Sequence, residues 1–230
     1  MVRSTAGMVA MTTSPGVVLS LCDRTGKMVQ PWAEAGYECW CVDTQHEPGY
    51  RKEGNITYVG ADLRYPLPLP ATVAIAFAFP PCTHLAASGA RWFKGKGLKA
   101  LSEGIELVGI CADLCEKTGA PWMLENPIGS LSTYWRKPDY RFDPCDYGGY
   151  LDPIGDQYTK KTCLWVGNGF VMPAPKSVAA IEGSRMHLIP PSEARANLRS
   201  ETPAGFARAV FVANTTPESD LVPLLPRPKP

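Results

Sequence analysis

The stretch Ala71-Thr-Val-Ala-Ile-Ala-Phe-Ala-Phe-Pro-Pro-Cys82 decides the fold class of this 230-residue chain. From Val73 to Phe79 every residue is apolar, as expected for a central strand that other elements cover on both faces. Two prolines then end the strand and stiffen the backbone in front of Cys82. A strand buried on both faces belongs to a sheet with helices packed on either side.

Further strands and helices alternate around this central strand. The other predicted strands are Val17 to Leu21, Tyr37 to Val42, Ile56 to Val59, Trp122 to Leu124 and Thr162 to Val166, and the predicted helices are Lys27 to Ala35, Lys99 to Lys117 and Pro203 to Asn214. This alternation predicts an α/β protein with a mostly parallel sheet. We expect one catalytic domain over residues 16–214, with a loop-rich stretch at 128–160 and disordered ends at 1–15 and 215–230.

The composition excludes several classes of protein. Hydrophobic residues make up 45% and charged residues 20%, as in an ordinary globular protein, and the net charge of +1 does not favour bulk coating of nucleic acid. No apolar run is long enough to span a membrane, and no signal peptide is recognisable, which predicts a cytoplasmic protein. The eight cysteines show no paired C-x-x-C spacing, so we expect no metal site. A monomer or weak dimer is expected.

Acidic residues follow several of the predicted strands. Ligands of open α/β sheets bind beyond the carboxyl ends of the strands, where Asp43 can accept hydrogen bonds from ribose hydroxyls and Asp62 from the amine of adenine. The predicted cofactor-binding residues at these ends are Leu21, Cys22, Asp23, Thr25, Gly26, Asp43, Thr44, Asp62, Leu63 and Pro80. The first turn lacks a G-x-G-x-x-G pattern, which disfavours a dinucleotide. A purely structural role for Asp43 and Asp62, as caps of turns, stays open.

A cysteine and a carboxylic acid follow at the next two strand ends. Cys82 stands after two prolines, and Glu125 begins the sequence Glu125-Asn126-Pro127 after the fifth predicted strand. A cysteine nucleophile and a held carboxylic acid are the two groups that activate a pyrimidine ring. His84 lies only two residues from Cys82, a spacing that does not favour a protease-like Cys/His dyad.

The two motifs resemble the signature motifs of the cytosine-5 DNA methyltransferase family. The resemblance covers about residues 16–127 well and continues in patches through Tyr158 to Trp165 and Ser200 to Asn214. The compact form is similar to methyltransferases encoded by bacteriophages, which would place the protein in the cytoplasm of a host cell. The resemblance implies a Rossmann-like methyltransferase fold, S-adenosylmethionine as cofactor and DNA as partner.

The resemblance also implies a mechanism. Cys82 would attack carbon 6 of cytosine, and Glu125 would bind ring nitrogen 3 and the amino group. Carbon 5 then takes the methyl group, and loss of its proton and of the cysteine restores the ring. The cytosine must be flipped out of the duplex, because its ring faces are covered there. Ser200 and Thr202 match the last motif of the family, which returns to the cofactor pocket.

Two segments are candidates for contact with DNA. Residues 83–97 would form a mobile loop that closes on DNA, and residues 157–161 stand where the family has Q-x-R-x-R. Lys161 aligns with the final arginine of that motif and is the third candidate catalytic residue. The predicted DNA-binding residues are Ser88, Arg91, Lys94, Lys96 and Lys160. Lysine lacks the bidentate fork of arginine, so the base would be oriented less strictly.

Few residues are left to form a region that recognises a DNA sequence. Too few residues follow Trp165 for a large recognition domain. Specificity is therefore relaxed, or comes from residues 128–160, or is supplied by a partner. Within that stretch aromatic and charged residues interleave, as in many nucleic-acid contacts, or form a hydrophobic patch under a loop: Trp135, Arg136, Lys137, Tyr140 and Arg141.

Three rival interpretations keep the same fold. A nucleotide-level methylase would act on free cytidylate (dCMP), which the small size favours. A variant enzyme would use a modified S-adenosylmethionine, for which the unusual turn Asp23-Arg24-Thr25 leaves room. A catalytically silent DNA-binding protein would keep the fold without the chemistry, although the intact Cys82 and Glu125 speak against it.

Overall fold

A seven-stranded sheet forms the centre of the protein. The computed structural model describes residues 16–184 and 195–215. The strands are β1 (Val17–Leu21), β2 (Cys39–Glu53), β3 (Ile56–Gly60), β4 (Val73–Ala78), β5 (Trp122–Pro127), β6 (Tyr140–Phe142) and β7 (Thr162–Gly167). Their spatial order is β3-β2-β1-β4-β5-β7-β6. The first five strands in that order are parallel, while β7 runs antiparallel to both β5 and β6.

This architecture confirms the predicted α/β class with a mostly parallel sheet. The order β3-β2-β1-β4-β5 coincides with the first five positions of a doubly wound Rossmann sheet. The helices are α1 (Gln30–Glu34), α2 (Phe93–Lys117), α3 (Leu131–Tyr134), α4 (Arg195–Ser200) and α5 (Ala204–Thr215). The sheet is therefore compatible with a Rossmann-like fold, with few and mostly short helices.

Strand β4 is buried on both faces, as its apolar sequence predicts. Ile75 and Phe77 belong to one hydrophobic cluster, where Phe77 packs on Trp32 of α1 with ring centroids 5.1 Å apart. Ala76 and Ala78 face the opposite cluster, to which α2 contributes its buried side. Because successive side chains of a strand point to opposite faces, one apolar run serves both layers. Truncating Phe77 to alanine is expected to cost about 3–5 kcal/mol of folding free energy.

The structure differs from the prediction at several element boundaries. Helix α2 spans Phe93–Lys117, but Gly97 interrupts it with a φ of +77° that glycine adopts without strain, so the main helix begins just after Gly97, close to the predicted start at Lys99. The stretch 128–160, predicted as loops, contains α3 and β6. Both are too short for a hydrophobic period, and β6 is defined by its pairing with β7.

The second half of β2 returns along β3. The partners of β2 first ascend β3, from Cys39 with Ile56 to Asp43 with Gly60, and later descend it to Glu53 with Ile56. Residues 50–53 therefore pair with β3 on its outer side and run antiparallel to it. Gly60 is needed at this return, because a Cβ there would lie 2.0 Å from the carbonyl oxygen of Glu47.

Three further predictions concern the ends of the chain, membrane-spanning helices and metal sites. The predicted disordered segments fall on residues 1–15 and 216–230, which lie outside the described residues, whereas Thr215 is the last residue of α5. Within the described ranges, the helices are too short or too polar to cross a bilayer. Nor do the same ranges contain a group of three or more side chains placed to hold a metal ion.

Candidate active site

Cys82 and Glu125 meet at one edge of the sheet. Strands β4 and β5 are parallel neighbours in which Ala78 pairs with Leu124, so the residues after them emerge side by side. Glu125 is the next residue of β5, and Cys82 follows β4 after Pro80 and Pro81. The structure therefore brings together the two residues that the sequence motifs single out.

Hydrogen bonds join the segment after β4 to the segment after β5. The buried side chain of Asn126 donates from Nδ2 to the carbonyl oxygen of Pro80 at 2.8 Å. Farther along, Ala86 forms a bridge with Gly129, and the backbone N–H of Ser130 donates to the carbonyl oxygen of Leu85. Contact at Gly129 is so close that a Cβ there would lie 2.1 Å from the Leu85 oxygen. These contacts fix the backbone around Cys82 relative to the backbone around Glu125.

The local electrostatics couple Cys82 to Glu125. Burial raises the pKa of the Cys82 thiol above its ordinary 9.0, the negative charge of Glu125 raises this pKa further, and the positive charges of Lys160 and Arg199 act in the opposite direction. Burial also raises the pKa of Glu125 above 4.5, against the lowering effect of Lys160. A proton on Glu125 would remove the charge that disfavours the Cys82 thiolate.

A narrow cleft opens beside Glu125. Aromatic rings form part of its lining, and Phe142 stacks on Phe206 with centroids 4.1 Å apart. Carboxylate, ammonium and hydroxyl groups complete the wall. The lining residues are Phe79, Glu125, Phe142, Lys160, Thr162, Ser200, Glu201, Thr202, Pro203 and Phe206. The cleft encloses only about 10 Å³, whereas small-molecule pockets measure roughly 300–1,000 Å³, so a base or a cofactor would require it to open.

Lys160 and Lys161 occupy different environments. Lys160 lines the cleft and acts electrostatically on Cys82 and Glu125. The Lys161 side chain is 67% exposed, and its Nζ lies 2.6 Å from Oδ2 of Asp143. Oδ1 of Asp143 accepts the backbone N–H of Lys160 at 2.8 Å, so this carboxylate fixes both residues. The geometry therefore places Lys160, the predicted DNA contact, in the cleft with Glu125, and directs Lys161 to Asp143.

Asp23 organises the turn after β1. Its buried carboxylate accepts the backbone N–H groups of Thr25 and Gly26 at 3.0 and 2.8 Å, and the hydroxyl of Ser20 at 2.8 Å. Cys22 adopts a φ of +55°, and its Sγ lies 3.8 Å from Sγ of Cys111. The Asp23 carboxylate is thus occupied by the turn itself, while Thr25 is half-buried and Leu21 fully buried.

The two other predicted acids are Asp43, where the part of β2 that runs parallel to β3 ends, and Asp62, which follows β3. Asp43 is half-buried, and its Oδ1 accepts the backbone N–H of Gln45 at 2.7 Å. Asp62 is also half-buried and pairs with the side chain of Arg64 at 3.0 Å. The residues beside them differ in exposure, since Thr44 is exposed whereas Leu63 and Pro80 are buried. Asp43 therefore retains acceptor capacity toward the edge of the sheet.

Residues 200–202 connect the cleft to the β1 turn. Ser200 and Thr202, the predicted cofactor residues of this segment, both line the cleft that contains Glu125. Between them, Glu201 forms an ion pair of 2.6 Å with Nζ of Lys27, which follows the β1 turn. The Ser200 hydroxyl donates to the carbonyl oxygen of Asn197 at 2.9 Å. The structure thus brings Ser200 and Thr202 to the cleft that also contains Glu125.

The segment after Cys82 carries an exposed basic and aromatic surface. Its backbone forms a 3-10 turn over Ala87–Trp92 and then enters α2. Ser88, Arg91 and Lys94 are exposed, and the Trp92 ring is 60% exposed. Lys96 is half-buried and donates from Nζ to the carbonyl oxygen of Thr83 at 2.6 Å, so it links the start of α2 to the beginning of the segment.

The aromatic residues between β5 and β6 partly pack on one another. Trp135 stacks on Trp165 at 5.7 Å, and the Arg136 guanidinium lies 5.0 Å from the Trp135 ring. Arg136 also pairs with Asp139 at 2.6 Å. The two residues are therefore engaged within the protein. Their neighbours are exposed, namely Lys137, Tyr140 and Arg141.

Two residues of the site carry no recognisable signal in the sequence. Arg199 belongs to the short α4, which has no hydrophobic period, and it acts on Cys82 from 117 positions away in the chain. Asp143 stands in a loop-rich stretch, and only the fold brings it to Lys160 and Lys161.

A comparison with models of known protein families gives no match, and a comparison with curated protein sequences gives none either.

Proposed function

We propose that this protein transfers a methyl group from S-adenosylmethionine to carbon 5 of cytosine in DNA through a covalent adduct with Cys82. The observation that carries the proposal is the position of Cys82 and Glu125 on adjacent strand ends, joined by the bond from Asn126 to Pro80. Lys160 acts on both residues from the wall of an aromatic cleft.

Cys82 and Glu125, at neighbouring strand ends, carry the groups that chemistry on a pyrimidine ring requires. The thiolate of Cys82 forms a bond to carbon 6 while Glu125 donates its proton to ring nitrogen 3, so that negative charge does not build up on the ring. The raised pKa of Glu125 keeps that proton available. After carbon 5 has taken the methyl group, its proton passes to water as the base, the carbon–sulfur bond breaks to release the Cys82 thiolate, and nitrogen 3 returns its proton to Glu125, which restores the aromatic ring and the protonated acid.

The donor set at the sheet edge fits S-adenosylmethionine. Asp43 offers a half-buried carboxylate with one local hydrogen bond, suited to ribose hydroxyls, and Asp62 lies at the neighbouring strand end. Ser200 and Thr202 provide hydroxyl groups in the cleft that also holds Glu125. When bound, the cofactor supplies an electrophilic methyl group on a sulfonium sulfur. The residues of this chain orient the base toward it and exclude water.

DNA is the substrate that the surface near Cys82 favours. Arg91 and Lys94 are exposed on the segment that follows the nucleophile and can contact phosphates. A flipped base requires such contacts, because they hold the duplex while the cytosine leaves the stack. Exposed Trp92 stands between these cations, where it can stack on a base.

Transfer of tritiated methyl from S-adenosylmethionine to unmethylated DNA tests the proposal. We expect label in DNA with the natural protein, and loss of label in Cys82→Ala and Glu125→Gln. Cys145→Ala is the matched control, because Cys145 is a half-buried cysteine outside the cleft and should leave the label in place. Free dCMP is assayed in parallel.

Label in dCMP alone would replace DNA with a nucleotide substrate. If neither DNA nor dCMP takes up label, the proposed methyl transfer is wrong. Binding of the cofactor and of DNA by the same preparation, measured by calorimetry, would then support a catalytically silent binding protein or a modified cofactor.

A further inference from the structure

Two thiols meet between the turn after β1 and the long helix α2. Sγ of Cys22 lies 3.8 Å from Sγ of Cys111, although the two residues are 89 positions apart in the chain. Cys22 is half-buried and Cys111 is buried. All eight cysteines belong to the described ranges, and no other two of their sulfur atoms are in hydrogen-bonding contact there. The proposed methyl transfer uses neither of these thiols.

The backbone of Cys22 turns its side chain toward α2. Successive residues of a strand point to opposite faces, and Leu21 belongs to the hydrophobic cluster on the α2 side. A continued strand would therefore direct Cys22 away from α2. Instead, its φ of +55°, uncommon for a residue with a Cβ, ends the strand conformation, and Cys22 packs against the same cluster as Leu21 and Cys111. The contact between the two thiols thus follows from the conformation of the turn.

We propose that Cys22 and Cys111 are a redox-sensitive pair that a hydroperoxide converts into a reversible disulfide, and that this disulfide lowers the affinity of the β1 turn for the cofactor. The sulfur atoms of a disulfide are about 2.0 Å apart, so closure brings the two side chains closer and draws the turn against α2. Transient disulfides act as redox sensors in compartments that keep other thiols reduced. The effect on the cofactor rests on the proposed function, whereas the disulfide itself does not.

The oxidation proceeds in two balanced steps. Cys22 reacts first because it is the more exposed thiol: its thiolate attacks hydrogen peroxide, the O–O bond breaks, and Cys22 becomes a sulfenic acid while the departing hydroxide takes up the thiol proton as water. Cys111 then attacks the sulfur of Cys22, the S–O bond breaks, and the second hydroxide takes the proton of Cys111. Two thiols thereby lose two electrons and two protons, and one peroxide becomes two waters.

The environment of Cys111 suits it to the second step. The hydrogen bond with Cys22 and burial raise the pKa of the Cys111 thiol well above its ordinary 9.0, so little of it is thiolate before Cys22 is oxidised. Its place in α2 also keeps it away from oxidant in solution, since it is fully buried. Cys111 is therefore protected from direct oxidation and is in contact with the one thiol that it would trap.

The disulfide would act on the cofactor through the turn. Asp23 follows Cys22 directly, and its carboxylate accepts the backbone N–H groups of Thr25 and Gly26 at 3.0 and 2.8 Å. Because these bonds hold the turn together, a displacement of Cys22 is passed on to the residues after it. The predicted cofactor-binding residues of the first strand end all belong to this turn or border it.

Peptide mapping after mild treatment with hydrogen peroxide tests the pair in the full-length natural protein. Remaining thiols are alkylated with N-ethylmaleimide. Trypsin, which cleaves after Arg24, Lys99 and Lys117, then releases Cys22 in one peptide and Cys111 in another. We expect most of the Cys22 peptide to become cross-linked to the Cys111 peptide and to be released by dithiothreitol. Recovery of Cys22 as an alkylated thiol or a sulfinic acid, without the cross-link, would overturn the proposal without any variant.

Cys115 provides a matched control, because it lies one helical turn after Cys111 and is released in the same peptide. The cross-link should persist in Cys115→Ala and disappear in Cys111→Ala. The reverse result, a cross-link lost in Cys115→Ala and kept in Cys111→Ala, would overturn the assignment of the partner.

Calorimetry with S-adenosylmethionine tests the effect of the disulfide on the cofactor. The oxidised protein is expected to bind roughly 5- to 150-fold more weakly than the reduced protein, the usual range of coupling between two sites, and dithiothreitol should restore the affinity. Cys145→Ala, which removes a half-buried cysteine outside this contact, should respond like the natural protein. Equal affinities of the two forms would overturn the effect on the cofactor. If the reduced natural protein binds no S-adenosylmethionine while the cross-link forms, the proposed function fails and the redox pair stands.

Discussion

The side chain of Asn126 in β5 donates a hydrogen bond of 2.8 Å from Nδ2 to the carbonyl oxygen of Pro80, which follows the neighbouring strand β4. Asn126 follows Glu125 directly, and Pro80 precedes Cys82 by two residues. This buried bond is therefore one of the contacts that set the spacing between the acid and the nucleophile. The middle residue of the Glu-Asn-Pro motif thus has a structural function that its neighbours in the motif depend on.

Removing this bond should damage both stability and activity. Asn126→Ala leaves the Pro80 carbonyl without its partner, for which we expect a loss of about 1–3 kcal/mol in the free energy of unfolding. Methyl transfer should fall roughly 10- to 100-fold, because Cys82 and Glu125 are then no longer held at a fixed distance from each other. Denaturant titration and the tritium assay measure the two effects. Asn55→Ala, which removes an exposed amide-to-carbonyl bond to Ala33, is the control and should cost less.

A methyl group at Gly129 should force the two motif segments apart. Its Cβ would lie 2.1 Å from the carbonyl oxygen of Leu85, so the backbone must move, and we expect Gly129→Ala to cost about 1–3 kcal/mol. Gly109→Ala, on an open face of α2, has no atom within 4 Å of the new Cβ and should stabilise the protein by about 0.5–1 kcal/mol. Thermal unfolding of both variants checks the pair. Equal behaviour of the two would contradict the close approach.

The pH dependence of kcat/KM should be bell-shaped and should shift when Lys160 is changed. The active form carries one proton in total, held by Glu125, while Cys82 is a thiolate. Activity is lost at low pH, where both groups are protonated, and at high pH, where neither is. The acid limb therefore follows the raised pKa of Glu125 and the basic limb the raised pKa of Cys82, as values of the coupled pair. Lys160 lowers both pKa values, and Lys160→Met should therefore move both limbs to higher pH. In Lys161→Met, whose ammonium pairs with Asp143, the limbs should move less. A larger shift in Lys161→Met would reverse this assignment.

The basic segment after Cys82 should contribute to DNA affinity through phosphates. Arg91→Ala and Lys94→Ala are each expected to weaken binding similarly on all sequences and to reduce the slope of log affinity against log salt by about 1. Fluorescence anisotropy with a duplex at several salt concentrations gives the slope. Lys117→Ala changes an exposed lysine at the last residue of α2 and should leave the slope unaltered. A natural slope in both Arg91→Ala and Lys94→Ala would exclude these phosphate contacts.

The sheet and the pairing of Cys82 with Glu125 could be predicted from the sequence. Apolar runs bounded by turn residues locate the strands, and β1 has the predicted bounds. Parallel neighbours then place their carboxyl ends at one edge, which brings Cys82 to Glu125. These inferences use local patterns and a general rule of topology, and neither needs the details of side-chain packing.

The choice between Lys160 and Lys161 could not be predicted in the same way. The two lysines are adjacent in the chain, and what separates them is the carboxylate of Asp143, 18 positions before Lys161. Arg199 escaped prediction for a related reason, because its helix is too short to show a period. In each case a long-range contact decides the position of a charge, and such contacts leave no trace in local sequence.

The return of β2 along the outer side of β3 has a consequence for how copies of this chain meet one another. A bare edge strand is a template on which a strand from a second chain can add and begin aggregation. Here the outermost row consists of residues 50–53, where Arg51, Lys52 and Glu53 are exposed and charged. Desolvating these charges opposes edge-to-edge addition. Replacing Arg51 and Lys52 with valine would remove this protection and make the edge strand prone to pairing with a second chain.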